Sequence, residues 1–304
     1  KTEIQKMIYS DMACGLGNQM FQFARGFSLS VDMGVEYQVC LDFMPHTTSH
    51  NGYQLGLVVL DLPRVADQSD LVRAFGWLGY RRFRREVSRR PRWAHWFKSA
   101  VFQNGMPYRA DVLPHGNTRP YLLHGNWQTE RYFVHNRSAL IKAFNFAPSD
   151  ALDTGLSGRI RDSQSVAIHI RGGDYLLQKN QNLFAVLDRS YYRRAIDVIQ
   201  ESVATPKFFV FTDDPETARA RLPEGLEYEL VTGNSGLDSY LDMQLMSQCK
   251  HNIIANSTFS WWGAWLNDDP DKIVVAPQEW FHELSGHDDR DVVPESWTKV
   301  SSSE

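Results

Sequence analysis

Between residues 165 and 275 one pattern recurs along the chain. A short, unbroken apolar run is followed by a polar stretch with apolar residues at every third or fourth position. The apolar runs fall at 166–170, 208–211, 228–231, 253–255 and 273–275, and helical spacing fills 191–202, 216–221, 239–249 and 259–266. A strand that is apolar on both faces has to be covered on both, which is the condition of a parallel sheet flanked by helices. The pattern therefore predicts a doubly wound α/β domain, and in such a domain ligands sit beyond the carboxyl ends of the strands.

The first half opens in the same style. An apolar run at 7–10 leads through Cys14-Gly15-Leu16-Gly17-Asn18 into helical spacing from 19 to about 31, and 35–41 reads as a second strand. Strand, helix and strand make one βαβ unit. The stretch 47–120 is rich in Arg, Trp and Gly and reads as an irregular, partly helical insert. A further apolar helical stretch stops at Ala147-Pro148-Ser149-Asp150, because proline disfavours helix in the residue before it. Two domains are expected, 1–147 and 151–304.

Composition narrows the function classes. Hydrophobic residues make up 42% of the 304 and aromatics 12%, enough for packed cores. A net charge of −4 offers no electrostatic footprint for nucleic acid. No apolar run approaches a membrane span and no signal-peptide pattern opens the chain. Cys14, Cys40 and Cys249 are widely spaced with no CxxC pair. A cytoplasmic protein with free thiols and no structural zinc is expected. One cluster departs from this average. In the stretch 81–98, Arg81, Arg82, Arg84, Arg85, Arg89, Arg90, Arg92 and Lys98 interleave with Phe83, Trp93, Trp96 and Phe97, opposed by Glu86 alone. That composition suits peripheral contact with an anionic membrane, here the inner membrane. It equally suits a solvated arginine-rich helix whose aromatics pack inward.

The sharpest local feature is His169-Ile170-Arg171-Gly172-Gly173-Asp174-Tyr175. It follows a predicted strand, and His169 and Arg171, two apart, point the same way on an extended chain. Arg171 cannot lose its charge and offers a planar fork of donors suited to a diphosphate. An Arg171–Asp174 ion pair that fixes the turn is the alternative. Thr212-Asp213-Asp214-Pro215 also ends a strand; Asp214 is placed to cap the next helix, and Asp213 is freer to meet a ligand. Asp242 lies in the first turn of a predicted helix, where it complements the helix dipole or accepts hydrogen bonds from the N1 and N2 donors of a guanine. Asn256-Ser257-Thr258-Phe259 sets hydroxyls and unpaired amides at a helix start, a ready anion site as well as an ordinary cap. Trp261, Trp262 and Trp265 read as core. Asp269-Pro270-Asp271 has the spacing of metal-binding aspartates but sits in a charged turn. The Gly15-Leu16-Gly17-Asn18-Gln19-Met20 loop fails as a dinucleotide fingerprint, since Met20 replaces the third small residue. It remains a candidate ligand loop, with Asn18 as a possible helix cap. A cation, hydroxyls at a helix start and two carboxylates on one rim are what a nucleotide diphosphate needs.

Taken together, these segments resemble the α-1,2-fucosyltransferases of glycosyltransferase family 11, especially the bacterial members. The resemblance runs through Gly15 to Gln22, Gly125-Asn126-Trp127-Gln128, His169 to Tyr175, Asp242 to Cys249 and Asn256 to Trp265. It implies the GT-B fold, two Rossmann-like domains facing across a cleft, with GDP-fucose in the C-terminal one. Arg171 would hold the β-phosphate, with His169 beside the nucleotide. Asp242 would read guanine. Ser257, Thr258 and Phe259 would line the diphosphate pocket, with Asp213 and Asn256 on the same donor side. Gly17, Asn18, Gln19 and Gln128 would face a terminal β-galactoside acceptor, and Asn18 would join Arg171 in catalysis. No metal or other cofactor is implied. The stretch 47–120 matches no motif of the family, so it leaves the acceptor's identity open.

A β-linked GDP-sugar giving an α-linked product requires inversion, hence a single displacement at the anomeric carbon. Charge then grows on the leaving phosphate, where a fixed cation and helix amides stabilise it. His124, Glu130, Asp42 and His46 are all candidates for the base, and a loose oxocarbenium-like transition state that needs little base help is the alternative. Transfer to another hydroxyl, such as an α-1,6 linkage, and non-catalytic glycan or GDP-sugar binding are the competing readings. A nicotinamide-dependent oxidoreductase is disfavoured by the failed fingerprint.

Overall fold

Ser165–Ile170 is buried at every position, which only neighbours on both edges and both faces can achieve. In the computed structural model, which describes residues 6–42, 52–89, 99–103, 106–110, 119–172 and 183–302, that strand is central to a six-stranded sheet. The chain divides into two compact units, Lys1–Ala147 and Pro148–Glu304.

The first unit runs β1 (Met7–Asp11), α1 (Leu16–Met33), β2 (Glu36–Cys40), β3 (Val65–Ala66), α2 (Gln68–Arg89), β4 (Ala100–Phe102), β5 (Tyr121–His124) and α3 (Arg137–Ala143). Its strands are ordered β3-β2-β1-β5-β4 and every pairing is parallel. The chain builds outward from β1 to β3, then returns to the other side of β1, so the connections reverse between β1 and β5. Helix α1 begins at Leu16, three residues ahead of the sequence expectation, with Gly15 as its cap residue. Asn18 therefore stands inside the first turn and does not cap it.

The segment read as an insert proves to be part of this sheet. It supplies the edge strands β3 and β4 and the long helix α2. Strands of two and three residues are too short to show a period, and the arginine face of α2 hides its apolar one. Tyr80 and Phe83 of that face are buried with Leu71 against β1, β4 and β5. Gly76, at φ 73°, breaks α2 midway.

The second unit contains α4 (Thr154–Arg161), β6 (Ser165–Ile170), α5 (Arg189–Ser202), β7 (Lys207–Thr212), α6 (Pro215–Arg221), β8 (Tyr228–Val231), α7 (Tyr240–Gln248), β9 (His251–Ile253), α8 (Thr258–Leu266), β10 (Val274–Pro277) and β11 (Thr298–Val300). The strand order is β11-β10-β9-β6-β7-β8, again parallel throughout. Numbered within the unit this is 3-2-1-4-5-6 reversed end to end, the Rossmann order, with the connections reversing between β6 and β9. One face packs α5 onto β6, β7 and β9 through Tyr191, Tyr192, Ala195, Ile196 and Ile199. On α8, Trp261, Trp262 and Trp265 are at most 2% exposed. Burying each indole contributes about 4–6 kcal/mol as an upper bound, so the tryptophans serve as core. Among the described residues no helix is long and apolar enough to cross a membrane.

Candidate active site

In an open parallel sheet the loops leaving the carboxyl ends part where the connections reverse, and that crevice is where ligands bind. In the second unit the crevice lies beyond β6 and β9, and it receives His169, Arg171 and the start of α8. Tyrosines at successive positions of α5 hold the two strand ends. The Tyr191 hydroxyl donates to Ile254 O at 2.6 Å and the Tyr192 hydroxyl to His169 O at 3.2 Å. The carbonyl of Arg171 accepts from Arg221 Nη1 at 2.8 Å. Such supporting residues carry no motif and escape a reading of the sequence alone.

His169 is 6% exposed, and its Nδ1 has no hydrogen-bond partner among the described residues. Burial, reinforced by the Arg171 charge, pushes its pKa down to about 3. The imidazole is thus neutral at any working pH and adds a dipole, without charge, beside a half-buried arginine. Its ring centroid lies 6.0 Å from that of Phe259.

Ser257 precedes α8 with extended backbone and makes no side-chain cap. Ser257 does not play the ordinary capping role, and among the described residues no side chain accepts from the first-turn amides of this nine-residue helix. Thr258 and Phe259 form that first turn. Asn256 behaves differently. It is 2% exposed, and its Nδ2 donates to Ala185 O at 2.8 Å and Trp280 O at 3.0 Å. It ties two flanking loops behind the crevice.

The carboxylates separate in role. Asp214 caps α6, accepting from Glu216 N at 3.1 Å, Thr217 N at 3.2 Å and Thr217 Oγ1 at 2.7 Å. Those bonds hold its pKa below the usual range. Asp213, expected to be freer, accepts from Gly172 N at 2.7 Å. Asp242 stands in the first turn of α7, and burial raises its pKa to about 6, against a hydrogen bond from Asn234 Nδ2 at 2.7 Å. Asp269 accepts from Asp271 N at 2.9 Å in the turn entering β10. That turn leads to the amino end of a parallel strand, the rim opposite the crevice. Asp174, with Gly173 and Tyr175, lies outside the described residues.

In the first unit the connections reverse between β1 and β5, the corresponding place for a ligand in an open parallel sheet. Asn18 Oδ1 accepts from Gln128 Nε2, joining the start of α1 to the segment after β5. Gly17, in the first turn of α1, is buried. Gln19, expected to face the acceptor, is turned inward. It is fully buried, its Nε2 donates to Cys14 O and Gly52 O at 2.8 Å each, and its Oε1 accepts from Gln54 N at 2.9 Å. A polar residue beside glycines suggested exposure, and only the tertiary fold shows the loop wrapped over it. The segment after β5 is held from below by Arg25 of α1, 1% exposed. Its guanidinium sits 5.5 Å from the Trp127 ring and 5.3 Å from Tyr132. Burial lowers its pKa to about 10, so it stays charged. Trp127 adopts φ 55°, and its amide donates to Gln103 Oε1.

Of the base candidates, Asp42 accepts from the Tyr80 hydroxyl, Glu130 opens a 3-10 turn, and His46 lies outside the described residues. His124 ends β5 and bonds Asp11. On α2, Trp77 and Leu78 are 53% and 78% exposed, and Arg81 stacks over Trp77 at 5.8 Å. Residues 90–98 of the basic stretch lie outside the described residues.

Two parallel-sheet units, the second in Rossmann strand order with Arg171 leaving its central strand, define an α/β fold of the nucleotide-binding type. The comparisons with known proteins agree. The Glycosyl transferase family 11 model matches residues 95–301, and the chain belongs to that family. It is 30% identical to an alpha-1,2-colitosyltransferase of Escherichia coli, over 97% of this chain and 99% of the relative. It is 29% identical to galactoside alpha-(1,2)-fucosyltransferase 2 of Oryctolagus cuniculus, over 40% of this chain and 36% of the relative. In fold it is similar to the fucosyltransferase NodZ from Bradyrhizobium, with a TM-score of 0.53 at 11% identity, covering 85% of this chain and 92% of that one.

Proposed function

We propose that this chain transfers L-fucose from GDP-β-L-fucose to the 2-hydroxyl of a terminal β-galactoside, with inversion and without a metal. One observation carries the reading. In a family 11 chain, Arg171 and a neutral His169 end the central strand of a Rossmann-ordered sheet, and the His169 ring lies 6.0 Å from Phe259 in the first turn of α8, where the connections reverse.

The acceptor oxygen attacks the anomeric carbon as the bond from that carbon to the β-phosphate oxygen breaks, and GDP leaves with the electron pair. Arg171 and the amides of α8 stabilise the charge growing on that phosphate. Ser257 and Thr258 add hydroxyl donors, and Phe259 closes the side of His169. Asp242, ionised, accepts from guanine N1–H and N2–H₂. Asp213 and Asn256 act by holding the crevice in shape. On the first unit, Asn18 and Gln128 offer hydrogen bonds to the galactoside, and Gly17 keeps the approach open.

GDP release from GDP-fucose, with EDTA present and a panel of β-galactosides, tests this reading. Acceptor-dependent release and an α-1,2 product are expected. An α-1,6 product, or GDP binding without transfer, would select one of the rival readings. GDP-colitose, whose sugar lacks the 3-hydroxyl of fucose, belongs in the same assay because of the Escherichia coli relative.

A second reading concerns place. The exposed Trp77 and Leu78 with Arg81, Arg82, Arg84 and Arg85 on one helix favour a cytoplasmic enzyme resting on an anionic membrane surface.

A further inference from the structure

The carboxyl-end rim of the first unit holds a pair of residues that the function proposed above leaves without a task. Strands β1 and β5 are neighbours with Ser10 opposite Leu123. The next residues, Asp11 and His124, emerge side by side where the connections reverse. His124 Nδ1 lies 2.5 Å from Asp11 Oδ2, with the carboxylate side chain 2% exposed and the imidazole 27%. An ionised carboxylate has only acceptors to offer, so Nδ1 is the donor in this pair, and in the neutral ring Nε2 keeps its lone pair. Phe83 and Phe102 meet the imidazole at 6.2 and 5.6 Å, both near edge-on, and fix the plane of the ring.

We propose that His124 is the catalytic base for the acceptor hydroxyl and that Asp11 is its positioning residue, an inference that rests on the transfer reaction proposed above. The hydroxyl proton passes to His124 Nε2 while the new glycosidic bond forms and GDP departs. Asp11 stabilises the imidazolium until it returns the proton to water, the role of a buried aspartate behind a catalytic histidine. Among the described base candidates, His124 has a buried carboxylate orienting it, whereas Asp42 is already engaged by Tyr80. Gln128, four residues from His124 along the chain, is joined to Asn18 at the start of α1.

The charged and titratable surroundings are Asp11 on β1, Cys14 beyond it, Cys40 and Asp42 at the end of β2, and Tyr80 and Arg84 on α2. Asp11 itself is pushed up by burial and pulled back by its bond to His124.

The experiment compares wild type, His124→Gln and Asp11→Asn with saturating GDP-fucose and a panel of lactose, N-acetyllactosamine and galactosyl-β-1,3-N-acetylgalactosamine. Fold is checked by circular dichroism and GDP affinity by calorimetry. We expect His124→Gln to lower kcat by roughly a hundred- to ten-thousand-fold with GDP affinity unchanged. Wild-type kcat should fall on acidification with unit slope, a limb absent from His124→Gln and moved to lower pH in Asp11→Asn. Reading kcat at saturation separates this limb from any effect of Asp242 on donor binding. Turnover by His124→Gln within about threefold of wild type overturns the assignment. So does a wild-type kcat with no acid limb, which decides the matter even if the variant does not fold. If wild type transfers to no acceptor, the reaction proposed above falls and this role with it. If it transfers while His124→Gln keeps its rate, only the base assignment falls.

Discussion

The Gly172 amide donates to Asp213 Oδ1 at 2.7 Å, and a side chain on Gly172 would meet the Cβ of Asp214 at 2.4 Å. The loop after β6 is thus pinned to the loop after β7 one residue beyond Arg171, so the guanidinium leaves a fixed backbone. Gly172→Ala should push the loops apart and raise the KM for GDP-fucose at least tenfold, with a smaller change in kcat. Equal KM values in steady-state kinetics would show that the close approach is unimportant to the donor.

Arg171→Ala should fold normally and lose about 3–4 kcal/mol of transition-state stabilisation, roughly a hundred- to thousand-fold in turnover. Lysine should restore only part of it, since an ammonium cannot form the planar fork. Single-turnover GDP release, with thermal unfolding as the fold control, provides the check. Near-wild-type turnover in Arg171→Ala would remove the phosphate role.

Asp242 predicts opposite effects on stability and binding. Its folded pKa, raised by burial from 3.8 to about 6, means that ionising it costs the folded state. That cost is absent below about pH 4, where the group is protonated folded and unfolded alike. It grows through about pH 6 and reaches about 3 kcal/mol above it. Asp242→Asn should therefore melt higher than wild type at pH 8 and equally at pH 4, while binding GDP more weakly at pH 8. Wild-type affinity for GDP should fall below pH 6. A variant that binds GDP as wild type does would exclude the guanine contact.

His169 runs the other way. Its folded pKa, depressed from 6.5 to about 3, contributes stability that is complete above pH 6.5 and is lost as the pH falls towards 3. Its ring resonances should not titrate between about pH 5 and 9 in a histidine-labelled sample. A midpoint near 6.5 would mean that the ring is solvated.

Trp77 and Leu78 give the membrane reading a direct test. Flotation with phosphatidylglycerol vesicles at low salt should carry wild type and release the double variant Trp77→Glu/Leu78→Glu. Salt should weaken the attachment through Arg81 and its neighbours. Wild type remaining unbound at low salt would end the idea, and neither outcome depends on turnover.

The sequence by itself located five of the six strands of the second unit, with β9 two residues early in the structure and β11 (Thr298–Val300) unread, and the rim at their carboxyl ends. Runs that are apolar on both faces leave a parallel sheet as their only cover, and Arg171, Asp242 and Ser257 each follow a strand or open a helix that such a pattern already locates. Tertiary structure decided what carries no local signal. The edge strands Val65–Ala66 and Ala100–Phe102 are too short for a period and exist because β2 and β5 offer them partners. Gln19 is buried because a loop thirty-odd residues away closes over it. Asp11 and His124, 113 residues apart, meet because β5 returns beside β1. Periodicity is a local consequence of which face is covered. A bond between strand ends depends on how the chain comes back, and no window of sequence contains that return.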